Sequence, residues 1–192
     1  MGNLKFIYGV MGSSKSAQAL ITRYNYTQKG FNVILCKPEV DNRGDSNEIR
    51  TVSSRIGIEA ECLVFSKAEN LIFLYMKNFN YYKKNILIVD ESQFCTSEQI
   101  DQLKILSKNV EVMCYGLKTN FKSELFEGSK RLIEIADELE EISYICRCGS
   151  KAIINARFIN GRPTTSGSEI LIGGDESYES LCYECWKKLL NE

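Results

Sequence analysis

Two stretches of this sequence hold residues whose types and spacing suit phosphate chemistry. The first spans residues 9–16 and follows the P-loop pattern G-x-x-x-x-G-K-[ST], except that Ser14 stands at the second glycine. In such a loop the backbone N–H groups surround the phosphates, the lysine neutralises the outer ones, and the next hydroxyl joins the Mg²⁺ shell. Lys15 and Ser16 can fill the last two roles. A Cβ at Ser14 either crowds the phosphate or is penalised at positive φ, by about 1 kcal/mol or more.

The second stretch places two carboxylates at the end of an apolar run. Residues 86–89 are wholly apolar, as a central strand of a parallel sheet is, and Asp90 and Glu91 follow at once. A carboxylate at that position, downstream of a P-loop, is the Walker B arrangement, in which Asp90 holds Mg²⁺ directly or through water. Glu91 is then placed to take a proton from an attacking hydroxyl or water. Alternatively, both acids cap the next helix, for which Thr96 or Ser97 is the better N-cap.

The chain contains eight cysteines and no histidine, which limits the chemistry that its side chains can perform. Acid–base work falls to carboxylates, lysines, tyrosines or thiols, and hydrolases that depend on histidine are excluded. Four of the eight cysteines are scattered, and the others form two close pairs near the C-terminus, Cys146 with Cys148 and Cys182 with Cys185. In a chain without an export signal, such pairs on a small β-hairpin scaffold predict a zinc ribbon with four thiolate ligands. The alternative is four solitary buried cysteines.

Alternating apolar patterns predict the strands and helices that hold these residues. A strand over residues 4–8, a helix from Ser16 to Gly30 and a strand over residues 32–38 make a βαβ unit. In such a unit the ligand site lies at the carboxyl ends of the strands. Further strands are predicted over residues 58–65, 86–89 and 110–117, and further helices over residues 68–79, 97–106 and 131–139.

Two connecting segments admit two interpretations each. Residues 39–55 are polar, so they form either a solvated loop or a mobile segment that brings cations to bound phosphates. The basic residues of this segment include Arg43, Arg50 and Arg55. Residues 118–129 contain aromatic side chains, which either cover a base-binding pocket or pack into the core. From Tyr144 the pattern becomes β-rich, with a polar turn over residues 160–168 and a strand over residues 169–172.

Length and charge limit the classes of protein that this chain can be. Its 192 residues suit one globular domain with a small appendage. The net charge of -1 and the pI near 5.8 argue against a protein whose main work is to bind nucleic acid or an anionic membrane. The sequence shows neither an apolar run of the ~18–20 residues that a membrane span needs nor the layout of a secretion signal. The cytoplasm is therefore the expected location.

Taken in order along the chain, these motifs resemble those of the type II thymidine kinases, a family that includes human cytosolic and bacterial enzymes. The resemblance covers nearly the whole chain and is greatest toward the enterobacterial branch, in which the C-x-C cysteine pair also occurs. So many separate motifs are more specific than a P-loop alone. The segments that carry the resemblance are residues 24–26, 52–57, 89–94, 114–121, 124–126 and 172–174, with Tyr178.

The resemblance implies transfer of the γ-phosphate of ATP to the 5′-hydroxyl of thymidine, with deoxyuridine as a second acceptor to be tested. It also implies Mg²⁺ with ATP, a structural Zn²⁺, feedback by thymidine triphosphate and a homo-oligomer, usually a tetramer. The implied fold is α/β. A mostly parallel P-loop sheet of the recombinase-like type, with helices on both faces, occupies residues 1–143, and a small β-rich zinc-binding lasso domain occupies residues 144–192.

Matched position by position, the resemblance also implies roles for single residues. Glu91 is similar to the general base that accepts the hydroxyl proton. The ATP and phosphate ligands correspond to Gly9, Met11, Gly12, Ser13, Ser14, Lys15, Ser16, Asp41, Arg43, Asp90 and Gln93, with Ser16 and Asp90 beside Mg²⁺. The thymidine site corresponds to Met11, Leu117, Phe121, Phe126, Asn155, Leu171, Ile172, Gly173 and Tyr178. The zinc ligands correspond to Cys146, Cys148, Cys182 and Cys185, which anchor both ends of the lasso loop.

Two other functions stay open at this point. Most of the family has glycine where Ser14 stands, so one alternative is a catalytically silent relative that binds a nucleoside or nucleotide without turnover. The other is a P-loop ATPase that uses its zinc ribbon on nucleic acid. The near-neutral charge counts against this last function, because nucleic-acid binding depends mainly on contacts between cationic side chains and phosphates.

Overall fold

The computed structural model describes residues 2–39, 50–167 and 176–191, which contain every strand and helix named below. In chain order these are β1 (Leu4–Tyr8), α1 (Lys15–Gln28), β2 (Asn32–Pro38), β3 (Thr51–Ser53), β4 (Glu59–Glu61), β5 (Leu63–Phe65), α2 (Leu71–Asn78), β6 (Asn85–Val89), α3 (Ser97–Leu106), β7 (Glu111–Gly116), α4 (Glu127–Ile135), β8 (Glu138–Glu141), β9 (Ile154–Ile159), β10 (Arg162–Thr164), β11 (Glu176–Leu181) and α5 (Tyr183–Leu190). A short 3-10 turn, Ser92–Phe94, follows β6.

A six-stranded sheet forms the larger part of the protein. Its strand order is β5-β2-β6-β7-β1-β8, and each neighbouring pair is parallel. Phe6 in β1, for example, lies opposite Cys114 in β7 and Leu139 in β8. Because all these strands run the same way, β1, β6 and β7 end at one edge of the sheet. The loops that follow them are therefore brought together there.

Helices cover both faces of this sheet, as the sequence predicts. On one face, Phe6 belongs to a buried cluster with Leu103 of α3 and Leu132 of α4. On the other face, Ile7 packs with Leu20 of α1. The consecutive residues Phe6 and Ile7 thus point to opposite faces of the sheet. Burying a side chain as large as either of them stabilises the fold by about 1.5–3 kcal/mol. None of the helices in the described ranges has both the length and the apolar character that a membrane crossing requires.

A small β-rich part follows the sheet and packs against the loop after β1. Strands β10, β9 and β11 form an antiparallel sheet in that order. Its core includes Ile154, Leu181 and Trp186, and Val10 from the loop after β1 belongs to the same cluster. The Ser180 hydroxyl donates a hydrogen bond of 2.6 Å to the Met11 carbonyl oxygen. The predicted β-rich unit is therefore present and touches the phosphate loop directly.

Local patterns predicted most elements of the large sheet correctly. The strands over residues 4–8 and 32–38 and the helix over residues 97–106 have the expected bounds. Thr96 caps that helix in a capping box with Gln99, so Asp90 and Glu91 are free of the capping role. The strand predicted over residues 169–172 lies outside the described residues.

The helix predicted over residues 131–139 is wrong at both ends. Helix α4 begins at Glu127 and ends at Ile135, and the chain then enters strand β8. The reason is a pairing with β1 that the local pattern does not show. Asp137 donates its backbone N–H to the Leu4 carbonyl oxygen at 2.8 Å, and its carboxylate accepts the Leu4 N–H at 2.8 Å. The predicted strand over residues 58–65 is likewise split into β4 and β5.

Candidate active site

The loop between β1 and α1 forms a cradle at the carboxyl end of β1. Gly9 leaves no room for a side chain, because a Cβ there would stand 2.4 Å from the Ser13 Oγ atom and 2.8 Å from the Ile142 carbonyl oxygen. Gly12 has a φ of 81°, a left-handed conformation that glycine adopts without strain. Helix α1 begins at Lys15, so its first backbone N–H groups belong to the same loop. A helix N-terminus approached by such a loop binds anions.

Ser14 stands at the N-cap of α1 in a conformation that suits glycine. Its φ and ψ are 64° and 24°, and its side chain makes no capping hydrogen bond. For a residue with a Cβ, this left-handed conformation costs about 1 kcal/mol or more. Of the two consequences expected for a side chain at this position, the penalty at positive φ is therefore present.

We expect Ser14→Gly to lower the KM for ATP and to raise the melting temperature, because glycine adopts this conformation without penalty. The gain in unfolding free energy should be about 1 kcal/mol. Asn160→Gly is the matched control, since Asn160 has a φ of 50° in the turn between β9 and β10. The control should leave the ATP kinetics unchanged. Unaltered kinetics in Ser14→Gly would show that the loop accommodates serine.

Lys15 is buried at the start of α1 and held by the loop itself. Its Nζ atom donates a hydrogen bond of 2.7 Å to the Val10 carbonyl oxygen, and the Ser13 Oγ atom lies 3.5 Å away. Burial lowers the pKa of Lys15 to about 8, although the carboxylates of Glu91 and Asp90 act in the opposite direction. The ammonium group is therefore mostly charged at neutral pH and suited to phosphate oxygens.

Asp90 follows β6 directly and is 3% exposed. Burial, aided by the charge of Glu91, raises the pKa of Asp90 to about 6, while a hydrogen bond with the Ser16 side chain and the charge of Lys15 oppose the rise. At neutral pH the carboxyl group is mostly ionised. A carboxylate beside a hydroxyl offers hard oxygen ligands of the kind that Mg²⁺ binds. Asp90 and Ser16 thus fit the ion that the sequence predicts for this position.

Glu91 has an unusual backbone conformation at the edge of the sheet. Its φ and ψ are 53° and 34°, in the left-handed region that few residues with a Cβ adopt. Such strain costs about 1–3 kcal/mol and is concentrated at functional sites. The carboxylate is held as well, because the Gln93 Nε2 atom donates a hydrogen bond of 2.5 Å to the Glu91 Oε2 atom.

A single open cleft brings the phosphate loop and Glu91 together. The hairpin formed by β3 and β4 supplies its opposite wall. The Nη1 atom of Arg55, in this wall, lies 3.7 Å from the position that a Cβ on Gly12 would occupy. The positive charge of Arg55 also contributes, after burial, to lowering the pKa of Lys15. The residues that line the cleft are Met11, Gly12, Ser14, Lys15, Ser16, Ala17, Ser53, Ser54, Arg55, Ile56, Glu91 and Leu117. The sequence analysis left Arg55 either in a solvated loop or among the cations that a mobile segment brings to phosphates, and it did not name Arg55 as a site residue.

The aromatic side chains of the loop after β7 pack inside the protein. Phe121 and Phe126 are 2% and 5% exposed. The Phe126 ring meets the Phe94 ring edge to face, with the ring centres 5.4 Å apart. Both rings are thus buried, as either interpretation of this loop allows, while Leu117 at the start of the loop faces the cleft.

Asn155 joins the small β-rich part to both loops of the site. Its Oδ1 atom accepts the Met11 backbone N–H at 2.8 Å, and its Nδ2 atom donates to the Thr119 carbonyl oxygen at 2.9 Å. Two strand positions further on, the fully buried Arg157 donates its Nε–H to the Tyr178 hydroxyl at 2.7 Å. The Arg157 guanidinium also stacks 3.8 Å from the centre of the Phe121 ring.

Arg157 is a residue of this region that sequence reasoning missed. The available signal was the alternation in residues 154–158, which places Asn155 and Arg157 on the same face of β9. A charged residue in the middle of an otherwise buried strand demands a partner, and here Phe121 and Tyr178 supply contacts.

The four C-terminal cysteines form a compact cluster. The sulfur atoms of Cys146, Cys148, Cys182 and Cys185 all lie within 4.8 Å of one another. A tetrahedral ion with Zn–S bonds of about 2.3 Å needs sulfur atoms about 3.8 Å apart, so the cluster has the dimensions of a four-thiolate metal site. Three of the four remaining cysteines are buried in the core of the large sheet. Burial raises the pKa of the thiols of Cys36, Cys95 and Cys114, which makes them inert core residues.

Five predicted site residues lie outside the described residues. They are Asp41, Arg43, Leu171, Ile172 and Gly173. The phosphate-loop residues, Asp90, Glu91, Gln93, Leu117, Phe121, Phe126, Asn155, Tyr178 and the four clustered cysteines are all described. The structure brings the phosphate loop and Glu91 into one cleft, and it ties Asn155 to the rim of that cleft through Met11.

This chain is similar to thymidine kinases over nearly its whole length. The family model described as thymidine kinase matches residues 2–186. The thymidine kinase of Enterobacteria phage T4 is 43% identical over 199 residues, which cover 98% of this chain and 97% of that protein. The thymidine kinase of Shewanella oneidensis is 37% identical over 193 residues, which cover 99% of each chain.

A solved structure shares the fold at much lower identity. It is a DnaB-like replicative helicase, with a TM-score of 0.51 and 17% identity, and the match covers 74% of this chain and 47% of that chain. At this identity the likeness shows the fold alone. The alternative of a catalytically silent relative receives no support from any of these matches. On the sequence matches together with the site geometry, the chain belongs to the thymidine kinase family.

Proposed function

We propose that this protein transfers the γ-phosphate of ATP to the 5′-hydroxyl of thymidine, giving thymidine monophosphate and ADP. One observation carries the proposal: Lys15, Ser16 and Glu91 meet in a single cleft in a chain of the thymidine kinase family. Phosphoryl transfer needs a cationic cradle for the phosphates and a base for the attacking hydroxyl. The cleft offers both within reach of one bound nucleotide.

The phosphate side of the cleft is built from the loop after β1. The Lys15 ammonium and the N–H groups at the start of α1 bind the outer phosphates, where charge accumulates as the bond to ADP breaks. Ser16 and Asp90 would hold Mg²⁺, which supplies positive charge to the same oxygens when it is bound with ATP. Asp41 and Arg43 are proposed to assist on this side, on the family resemblance alone.

Glu91 is proposed to act as the general base. Its carboxylate accepts the proton of the 5′-hydroxyl while the hydroxyl oxygen forms a bond to the γ-phosphorus. The bond from the γ-phosphorus to the bridging oxygen breaks, and ADP leaves with the electron pair. The left-handed backbone at Glu91 and its hydrogen bond from Gln93 support this role, because both fix the carboxylate beside the cleft.

The nucleoside side is proposed to lie between the phosphate loop and the lasso segment. Met11 and Leu117 line the cleft and are suited to contact the thymine ring. Both ends of the Asn155 amide are hydrogen-bonded within the protein, to Met11 and Thr119. Asn155 therefore supports thymine binding by fixing the shape of the pocket. The remaining members of this site are assigned on the family resemblance: Phe121, Phe126, Leu171, Ile172, Gly173 and Tyr178.

Several finer features are also proposed from family membership. The four-cysteine cluster takes Zn²⁺ as a structural ion, because four clustered thiolates suit this metal. The protein forms a homo-oligomer, in the family usually a tetramer, it is located in the cytoplasm, and it serves nucleotide salvage. Thymidine triphosphate, the end product, acts as a feedback inhibitor. The protein has two domains, residues 1–143 and residues 144–192.

Arg55 is expected to supply a second positive charge to the transferring phosphate. Arg55→Gln should lower kcat/KM for ATP by roughly 10- to 100-fold, because a side-chain charge–phosphate hydrogen bond is lost from the cleft. Arg50→Gln is the matched control, since Arg50 is an exposed arginine of the same segment that is not among the residues lining the cleft. Steady-state kinetics of the two variants decide the matter. Equal effects of both substitutions would contradict a specific role for Arg55.

Transfer of labelled phosphate from ATP tests the proposed function directly. Purified, zinc-replete protein is given thymidine, deoxyuridine, deoxycytidine or deoxyadenosine with Mg²⁺-ATP. We expect labelled thymidine monophosphate, with no product from deoxycytidine or deoxyadenosine. The deoxyuridine reaction measures how far the pocket depends on the thymine methyl group. Absence of transfer to thymidine would refute the proposed function.

A further inference from the structure

Gln93 lies beside Glu91, the proposed general base, but does not line the cleft. Its side chain is 2% exposed, behind the residues that form the cleft wall. The Nε2 atom donates to the Glu91 Oε2 atom at 2.5 Å, and the Oε1 atom accepts the Leu117 backbone N–H at 3.0 Å. Both ends of the amide are therefore engaged by the protein. The family resemblance assigns Gln93 to the ATP side of the site, and these contacts suggest a different use.

The two partners fix the orientation of the Gln93 amide. An ionised carboxylate only accepts hydrogen bonds, and a backbone N–H only donates them. Turning the amide over would place oxygen against oxygen at Glu91 and donor against donor at Leu117. Gln93 is thus a bridge of defined polarity between the end of β6 and the end of β7.

Glycine at position 116 makes this bridge possible. A Cβ added to Gly116 would stand 2.7 Å from the Gln93 Oε1 atom and 2.8 Å from the Ser92 Oγ atom. The Ser92 hydroxyl donates to the Tyr115 carbonyl oxygen at 3.0 Å, so the same turn is fixed at a second point. The residue before Gln93 and the bridge itself therefore tie the turn after β6 to the end of β7.

We propose that Gln93 is a positioning residue that holds the Glu91 carboxylate in the geometry needed to accept the 5′-hydroxyl proton. A glutamate side chain has three rotatable bonds, and a carboxylate without this contact would populate several rotamers. Within the described ranges, no other side chain donates a hydrogen bond to the Glu91 carboxylate. The inference rests on the proposed phosphoryl transfer and adds to it a residue that never touches substrate.

Kinetics of two variants and a control test the role. Gln93→Met keeps the length of the side chain and removes both hydrogen bonds, whereas Gln93→Glu keeps an acceptor for Leu117 and repels Glu91. We expect both to lower kcat by roughly 10- to 100-fold while the dissociation constants of ATP and thymidine change less than about twofold. Gln102→Met is the control, because Gln102 is also buried and accepts a backbone N–H, that of Leu71 at 2.7 Å, in another part of the fold.

A double-mutant cycle shows whether Gln93 acts through Glu91. In a Glu91→Gln background, Gln93→Met should change the residual rate less than about twofold, since no carboxylate remains to be positioned. Full additivity of the two effects would overturn the proposal. So would a rise in the dissociation constant of ATP in Gln93→Met with kcat unchanged, which would instead place Gln93 among the ATP ligands.

A crystal structure of Gln93→Met gives a readout that does not depend on activity. We expect the Glu91 side chain to leave its position or to occupy several rotamers, and we expect it unchanged in Gln102→Met. A Glu91 carboxylate found in its original position in Gln93→Met would overturn the proposal. Failure of the wild-type protein to phosphorylate thymidine is a separate result, and it would refute the proposed function while leaving this structural test decisive for the contact.

Discussion

Glu91→Gln should lower the turnover of thymidine by about 10²- to 10⁴-fold, the contribution typical of a general base. Glutamine has nearly the same shape, and it still reaches Gln93, but its amide does not accept the hydroxyl proton. Binding of thymidine and ATP should stay close to that of the wild type, because the substitution changes neither the phosphate loop nor the lining residues Met11 and Leu117.

The measurement separates chemistry from binding. Single-turnover transfer of labelled phosphate gives the rate of the chemical step, and calorimetry gives the affinities for both substrates. Glu61→Gln is the control, since Glu61 lies in β4 of the hairpin and is not among the residues lining the cleft. Turnover that survives Glu91→Gln at the wild-type rate would remove Glu91 from the role of base.

Cys148→Ser is the substitution with the second large effect, because it removes one of four clustered thiolates. We expect loss of bound zinc, unfolding of the small β-rich part and a fall in thymidine affinity of roughly 100-fold or more. The binding free energy of a structural zinc ion is about 10–16 kcal/mol in small zinc-binding peptides, far more than a core of this size supplies. The Cys148 and Cys182 sulfur atoms lie 3.6 Å apart, so both would contact one ion.

Metal content, thermal unfolding and thymidine binding are measured on the same preparations. Cys62→Ser is the matched control, as Cys62 is half-buried and lies outside the cluster. A chelator applied to the wild-type protein should reproduce the effect of Cys148→Ser. A variant that keeps one zinc ion per chain and normal thymidine affinity would contradict the assignment of Cys148 as a ligand.

Elements with strong local signals were predictable from the sequence. The strand Leu4–Tyr8 ends at a glycine, and the helix Ser97–Leu106 begins at a Thr-x-x-Gln capping box, so neighbouring residues define both elements. The edge strand Glu138–Glu141 was missed because four consecutive polar or exposed residues resemble a helix surface. Only its pairing with β1, far away in the sequence, makes it a strand.

The candidate site likewise contains residues that sequence motifs group together and contacts that only the folded protein makes. Asp90 and Glu91 follow β6 directly, and Lys15 ends the loop after β1, so motif spacing was sufficient to group them. The bridge from Gln93 to Leu117 and the stacking of Arg157 on Phe121 were not predictable, because each joins segments that only the folded sheet brings together. The strain at Ser14 was foreseen as one of two consequences, since the motif itself marks the position as one for glycine.

The hydrogen bonds that join Met11 to Asn155 and to Ser180 have a consequence for how the protein is made. They join the phosphate loop to strands that are synthesised much later, across separations of 144 and 169 residues. Contacts so distant in sequence form slowly, because a long loop must close before they contribute. A nascent chain that already contains the loop after β1 therefore lacks both of these contacts until Asn155 and Ser180 have been added. Newly made protein should accordingly gain the ability to bind nucleoside only after these distant strands have been made and have packed against the loop.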